Sequence, residues 1–228
     1  MARILMVLTS HGELGSTGRK TGLWLEEFAA PFYAFLAAGC EVVLASPRGG
    51  AVPVDPGSLA DSAQTEATRR WADDDLNRGL ITRTLPLSSV TASDFDAVFY
   101  PGGHGPMWDL AGDPGNAAVL SQFWCAGKPV GAVCHGVAAL LAARDADGQS
   151  LLEGRHVTGF SDAEERAVGL DEVVPFLLQD RLLAARAIYE EAPPFKAHTV
   201  VDGRLVTGQN PASSVGAAHA LLGLLTSE

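Results

Sequence analysis

The chain has 228 residues, with 16 Lys and Arg against 27 Asp and Glu, a formal charge of −11. Hydrophobic residues make up 47% and charged residues 19%, enough to build a buried core, which excludes intrinsic disorder. The acidic balance, with no local basic patch, argues against a nucleic-acid partner held through its phosphates.

One domain over residues 1–228 is expected at this length. Cys40, Cys125 and Cys134 cannot all pair within the chain and none sits in a C-x-x-C, so neither a disulfide framework nor a zinc ribbon is predicted. A reducing, cytoplasmic location fits best. No apolar run approaches the ~18 residues of a membrane span, so no membrane partner is expected.

Ile4–Leu8 is a short apolar run closed by a loop, the pattern of a parallel strand buried on both faces. Gly22–Ala38 has apolar residues at mostly helical spacing and Gly39 as a stop, with Pro31 predicting a kink or a short break. Val42–Ala45 is a second strand. Residues 46–61 are rich in Pro and Gly, and 62–89 are polar with a weak helical period, so 46–89 is read as an insertion or lid. Phe95–Tyr100 and Pro129–Val133 are further strands, each followed by a glycine-containing turn and a helical stretch, Ala117–Trp124 and Val137–Ala143 respectively. His156–Phe160 is a strand candidate, Val173–Ala187 a helix, Thr199–Thr207 a hairpin turning at Asp202-Gly203, and Ala212–Leu225 a covering helix. The alternation predicts a three-layer α/β/α sandwich with a mainly parallel sheet, whose ligands sit at the carboxyl ends of the strands.

The sharpest chemical feature is Ala132-Val-Cys134-His-Gly136, a nucleophile flanked at two residues on either side by small residues, between a strand and a helix. Unpaired N–H groups at the following helix N-terminus lower a thiol pKa, so Cys134 is predicted to be a partly exposed thiolate rather than a buried core cysteine. Pro101-Gly-Gly-His-Gly105 also follows a strand, and its backbone N–H groups could face a developing oxyanion. That makes Gly103, His104 and Gly105 candidate oxyanion or substrate-binding residues. Glu26 and Glu27 are adjacent on the first helix, so one can point inward while the other meets solvent; spacing does not choose between them. Neither H-E-x-x-H nor G-x-G-x-x-G is present, so no metal and no dinucleotide cofactor is predicted.

Taken together, Ala132–Gly136, Pro101–Gly105, Lys20–Glu27, Thr158–Asp162 and Val206–Ser213 resemble the ThiJ/PfpI superfamily, whose flavodoxin-like core is similar to class I glutamine amidotransferases. They point to its branch of heat-shock chaperones and glutathione-independent glyoxalases (glyoxalase III). The resemblance implies Cys134 as nucleophile, His135 as proton carrier, Glu27 rather than Glu26 as the buried carboxyl at the sulfur, and Glu165 as the acid completing a Cys-His-acid triad, with Asp162 as fallback. The backbones of Gly103 and His135 would supply oxyanion donors. The implied activity is conversion of a small-molecule 2-oxoaldehyde such as methylglyoxal to a 2-hydroxy acid, without metal or organic cofactor, by a homodimer. A holdase chaperone or redox sensor, and a cysteine-dependent amide or peptide hydrolase, are the competing readings.

Overall fold

The computed structural model describes residues 1–226. Strand β1 (Arg3–Val7) leads into helix α1 (Leu25–Ala37) and returns to parallel strand β2 (Glu41–Ser46), with Arg3 beside Glu41 and Val7 beside Ala45. α1 runs through Pro31 as one helix, and Gly39 just beyond its end takes a positive φ of 76°, the stop expected of it. The segment 46–89 carries helix α2 (Glu66–Asp73) and the two-residue strand β3 (Leu85–Pro86), which extends the sheet beyond β2. Strand β4 (Ala97–Tyr100), the short helix α3 (Pro106–Asp109), helix α4 (Pro114–Cys125) and strand β5 (Val130–Val133) follow. α4 starts where sequence signals coincide: Asp113 accepts the Asn116 N–H at 2.6 Å and Pro114 occupies the first turn.

The main sheet has the order β3-β2-β1-β4-β5-β9-β8, all parallel except the final hairpin of β8 (Thr199–Asp202) and β9 (Leu205–Gly208). α1 packs on the closing helix α7 (Ser214–Leu225), and α7 on β5 and β9; α3 and α4 pack on the turn after β5, giving the three layers of the sandwich. Every residue of β4 and β5 is buried, as the uninterrupted apolar runs require. The strand order reverses between β1 and β4, the kind of place at whose carboxyl ends open α/β sheets bind ligands. Among the described residues no helix is long and apolar enough to cross a membrane.

Four expectations change. The hairpin turns on Gly203-Arg204, because Asp202 pairs with Leu205 and belongs to the ladder. The strand expected over 156–160 shortens to β6 (His156–Val157), which pairs with β7 (Ile188–Tyr189) in a separate two-stranded sheet. The helix expected over 173–187 begins only at Leu178, as α6 (Leu178–Ala184), because Pro175 would deprive a helix of an N–H and disfavours a helical Val174. The α-helix expected after Cys134 is a tighter 3₁₀ helix over Cys134–Ala142, in which Asn116 Nδ2 supplies an outside partner to the Ala139 carbonyl at 2.9 Å.

Trp71 of α2 fastens 46–89 to the core. It is 3% exposed and meets Phe28 and Phe32 edge-on, with ring centroids 4.8 and 5.5 Å away. Trp71→Ala should therefore cost about 3–5 kcal/mol of unfolding free energy, the usual cost of emptying a large aromatic site. Urea unfolding followed by circular dichroism checks this, and a loss under about 1 kcal/mol would show that α2 is not fastened through this ring.

Candidate active site

At the carboxyl end of β5 the extended backbone of Val133 turns abruptly, and Cys134 takes a φ of +56°, rare for a residue with a side chain. That turn lifts the sulfur out of the sheet. Gly136 allows it: a Cβ there would lie 2.3 Å from the Tyr100 carbonyl oxygen, so the elbow presses directly on the end of β4. The small residues around Cys134 thus serve close backbone approach, as their spacing predicts.

The partly exposed thiolate does not appear. Cys134 is 3% exposed, and burial, followed by the negative field and hydrogen bond of Glu27, pushes its thiol well above the ordinary range despite the His135 backbone N–H turned toward the sulfur. The resting group is a thiol. Glu27, on the first turn of α1, is fully buried; burial pushes its pKa up to about 8 although it interacts with Cys134 and with the backbones of Gly102 and Gly103. Its Oε2 accepts the Gly102 N–H at 2.8 Å, while Oε1 has no hydrogen-bond partner among the described residues. Glu26 turns away, half-buried, and bonds Thr65 instead.

On the other side of the sulfur, His135 Nδ1 lies 3.3 Å from Sγ and Nε2 lies 2.6 Å from Glu165 Oε2. Glu165, on helix α5 (Asp162–Ala167), also meets His104 Nε2 through Oε1 at 2.8 Å. Burial would raise the Glu165 pKa, but His135 and His104 outweigh it and hold the carboxyl well below its usual range. An ionised carboxylate only accepts, so both Nε2 atoms must carry protons, and the neutral His135 then presents a bare Nδ1 to the thiol. Burial first, then the neighbouring His104, whose ring is tilted by 35° at a centroid distance of 4.0 Å, lower the His135 pKa and keep it neutral at rest. Asp162 does not reach the histidine: it pairs with Arg166 at 3.6 Å.

The oxyanion expectations fare unevenly. Gly103 and His104 line the cavity over Cys134, and Gly103 needs its φ of +81° and bare Cα because a Cβ would lie 2.2 Å from the Gly22 carbonyl oxygen. The Gly103 backbone is directed to Glu27 and the His135 N–H to the sulfur, so at rest both serve the reacting groups. Gly105 does not line the cavity, and its N–H goes to the Gly22 carbonyl. Among the described residues, His104, His135 and Glu165 are the group whose ligand atoms could converge on a metal, all lying within 4.8 Å of one another. Their 2.6 and 2.8 Å separations are hydrogen bonds, and an ion there would have to displace both.

The cavity holds about 150 Å³. Trp24, Phe160, Val168, Phe195 and Pro211 form its outer wall, and no residue of 46–89 contributes to it. Sequence reasoning missed this wall and the sharing of Glu165 by two histidines. It also passed over Glu164, although Ser161 and Glu164 have the S-x-x-E spacing of a capping box, which they form.

Comparison with known proteins agrees with this geometry. The chain is 33% identical to the glutathione-independent glyoxalase HSP31 of Saccharomyces cerevisiae over 93% of each chain. Among solved structures, the 24 kDa rapid encystment protein of Francisella tularensis superposes with a TM-score of 0.95 and 35% identity over the whole of both chains. Glyoxalase III of Candida albicans superposes with a TM-score of 0.91 and 28% identity, covering 98% of this chain and 97% of its own. The DJ-1/PfpI family profile matches residues 21–223, and with the cysteine elbow, the buried glutamate and this sheet order in place, the chain belongs to the DJ-1/PfpI family.

Proposed function

We propose that the chain is a glutathione-independent glyoxalase that converts methylglyoxal, or a related small 2-oxoaldehyde, to the 2-hydroxy acid through a hemithioacetal on Cys134. The observation that carries this reading is the placement of the Cys134 thiol between a neutral imidazole, with Nδ1 at 3.3 Å, and a buried carboxyl that keeps its proton up to about pH 8. Two carboxyls in one site, one pushed up and one held down, divide the acid and base work.

In this reading Sγ attacks the aldehyde carbon, and its proton passes through His135 to the aldehyde oxygen, giving the hemithioacetal. Glu165 stabilises the transient imidazolium. His135 then removes the hydrogen on the former aldehyde carbon while Glu27 protonates the neighbouring ketone oxygen, giving an enediol; the imidazolium returns its proton to the second carbon as the hydroxyl on the first gives its proton to the Glu27 carboxylate, which restores both groups. The product is a thioester of the 2-hydroxy acid, and water releases the acid and restores the thiol. One water is added overall, and the oxidation of one carbon is balanced by reduction of its neighbour.

A cavity of about 150 Å³ lies below the ~300–1,000 Å³ of drug-sized pockets and favours a few-carbon substrate over a peptide. A redox sensor would be served by an exposed, low-pKa thiol, the opposite of Cys134. Residues 1–228 are read as one domain with 46–89 as an addition at the sheet edge. The three unpaired cysteines support a reducing, cytoplasmic location, and a homodimer is the commonest assembly for such an enzyme.

The reading is tested by lactate formation from methylglyoxal without glutathione: the wild-type chain should produce it and Cys134→Ala should not, and lactate from both or from neither would refute it. Glu165→Gln places an amide against two N–H donors and unfixes the His135 tautomer, so kcat should fall by about 10³–10⁴-fold, as when a triad acid is amidated. Iodoacetamide should still alkylate Cys134 in that variant, and normal turnover would remove Glu165 from the mechanism. Because the Glu27 pKa is raised to about 8, its proton is present below that pH and lost above it. kcat/KM should therefore fall as the pH rises through about 8, and Glu27→Gln, which cannot titrate, should lose that limb along with most of its activity.

A further inference from the structure

Resting on the glyoxalase reading, we propose that Phe195 selects the substituent carried by the 2-oxoaldehyde, favouring an apolar or aryl group, and that Glu164 is the positioning residue that holds it in place. Phe195 stands at the cavity mouth, 49% exposed, in a left-handed backbone conformation with φ +62°. That conformation is unfavourable for a residue with a Cβ and persists only where its surroundings impose it. Here they do. The Phe195 N–H donates to Glu164 Oε1 at 2.7 Å, and Asn210 Nδ2 donates to the same oxygen at 2.8 Å while also reaching the Lys196 carbonyl at 2.8 Å.

Glu164 is wholly buried, and its other oxygen accepts from Ser161 N, Ser161 Oγ and Gln209 Nε2, each at 3.0 Å. All five partners donate to its two oxygens, so the NH2 of an amide in its place would face donors alone. The clamp joins three parts of the cavity: the Phe195 turn, the Asn210-Pro211 segment, and α5, where the next residue is Glu165. From the catalytic end outward the rings of His135, Phe160 and Phe195 follow one another, with centroids 4.5 and 6.4 Å apart. An aldehyde held by Cys134 beside His135 would extend its substituent along this row. Among the described residues no Lys or Arg lines the cavity, so these offer no cationic partner to a carboxylate or phosphate on that substituent. An aromatic wall held by a buried carboxylate is a rigid selector, whereas the same ring on a loose turn would discriminate little.

The test compares kcat/KM for phenylglyoxal and methylglyoxal in the wild-type chain, Phe195→Ala, Glu164→Gln and the double variant. The ratio of two substrates on one sample does not depend on how much of the protein is folded. Phe195→Ala should lower the phenylglyoxal-to-methylglyoxal ratio by about tenfold, mostly through KM, the low end of what one apolar pocket contact discriminates. Glu164→Gln should lower it in the same direction, and the double variant should go no further than Phe195→Ala alone. An unchanged ratio in Phe195→Ala, equal losses on both substrates in Glu164→Gln, or effects that multiply in the double variant would overturn the proposal. If Glu164→Gln does not fold, Asn210→Ala, which loosens the same clamp one bond further out, takes its place under the same criteria. A wild-type chain that turns over neither aldehyde refutes the glyoxalase reading itself; turnover of both with an unmoved ratio refutes only the role of Phe195.

Discussion

Cys134 must stand at a φ of +56° at the end of a strand that is buried along its whole length. The conformation is tolerable only where the neighbouring chain over-determines it, and β4 does this by bringing the Tyr100 carbonyl against Gly136. The same contact sets the loop after β4 over the sulfur, so Gly102 and Gly103 meet Glu27 and His104 meets Glu165. The sheet order matters for the same reason: β4 and β5 are adjacent and parallel, so both loops emerge on one rim.

Burial of the site then determines its charges. A thiol, two carboxyls and two imidazoles share a small volume, and not all of them can be ionised there. Glu27 has two backbone amides for company but no cation, so desolvation prevails and it stays protonated to about pH 8. Glu165 is nearly as buried but receives two imidazole N–H groups, and these outweigh desolvation. Opposite outcomes for two glutamates therefore follow from hydrogen-bond partners, with residue type and burial held almost constant. The sulfur lies between them as a thiol, with the His135 imidazole nitrogen 3.3 Å away.

Some of this was legible in the chain. The strands of the parallel core, the elbow at Cys134 and the Gly39 stop are local patterns, in which the residues that cause a feature lie within a few positions of it. Resemblance added Glu27 over Glu26, which helical spacing could not choose, and Glu165 over Asp162. The errors cluster where local pattern competes with something else: Pro175 cut a helix, and Asp202 joined a ladder in place of the turn.

The sequence by itself determined the fold class, the cysteine elbow and the strand-end location of the candidate site, because each depends on short-range periodicity and on small residues beside a sharp turn. The tertiary structure decided that Cys134 is a buried thiol rather than an exposed thiolate, that His104 and His135 share one carboxylate, and that Phe195 faces the cavity. Burial and field at an atom sum contributions from segments far apart in the chain: Glu27 reaches Gly102 across 75 positions and Glu165 reaches His104 across 61. No local window contains both ends of such contacts, so the elements could be read along the chain while the protonation states of the site had to await their packing.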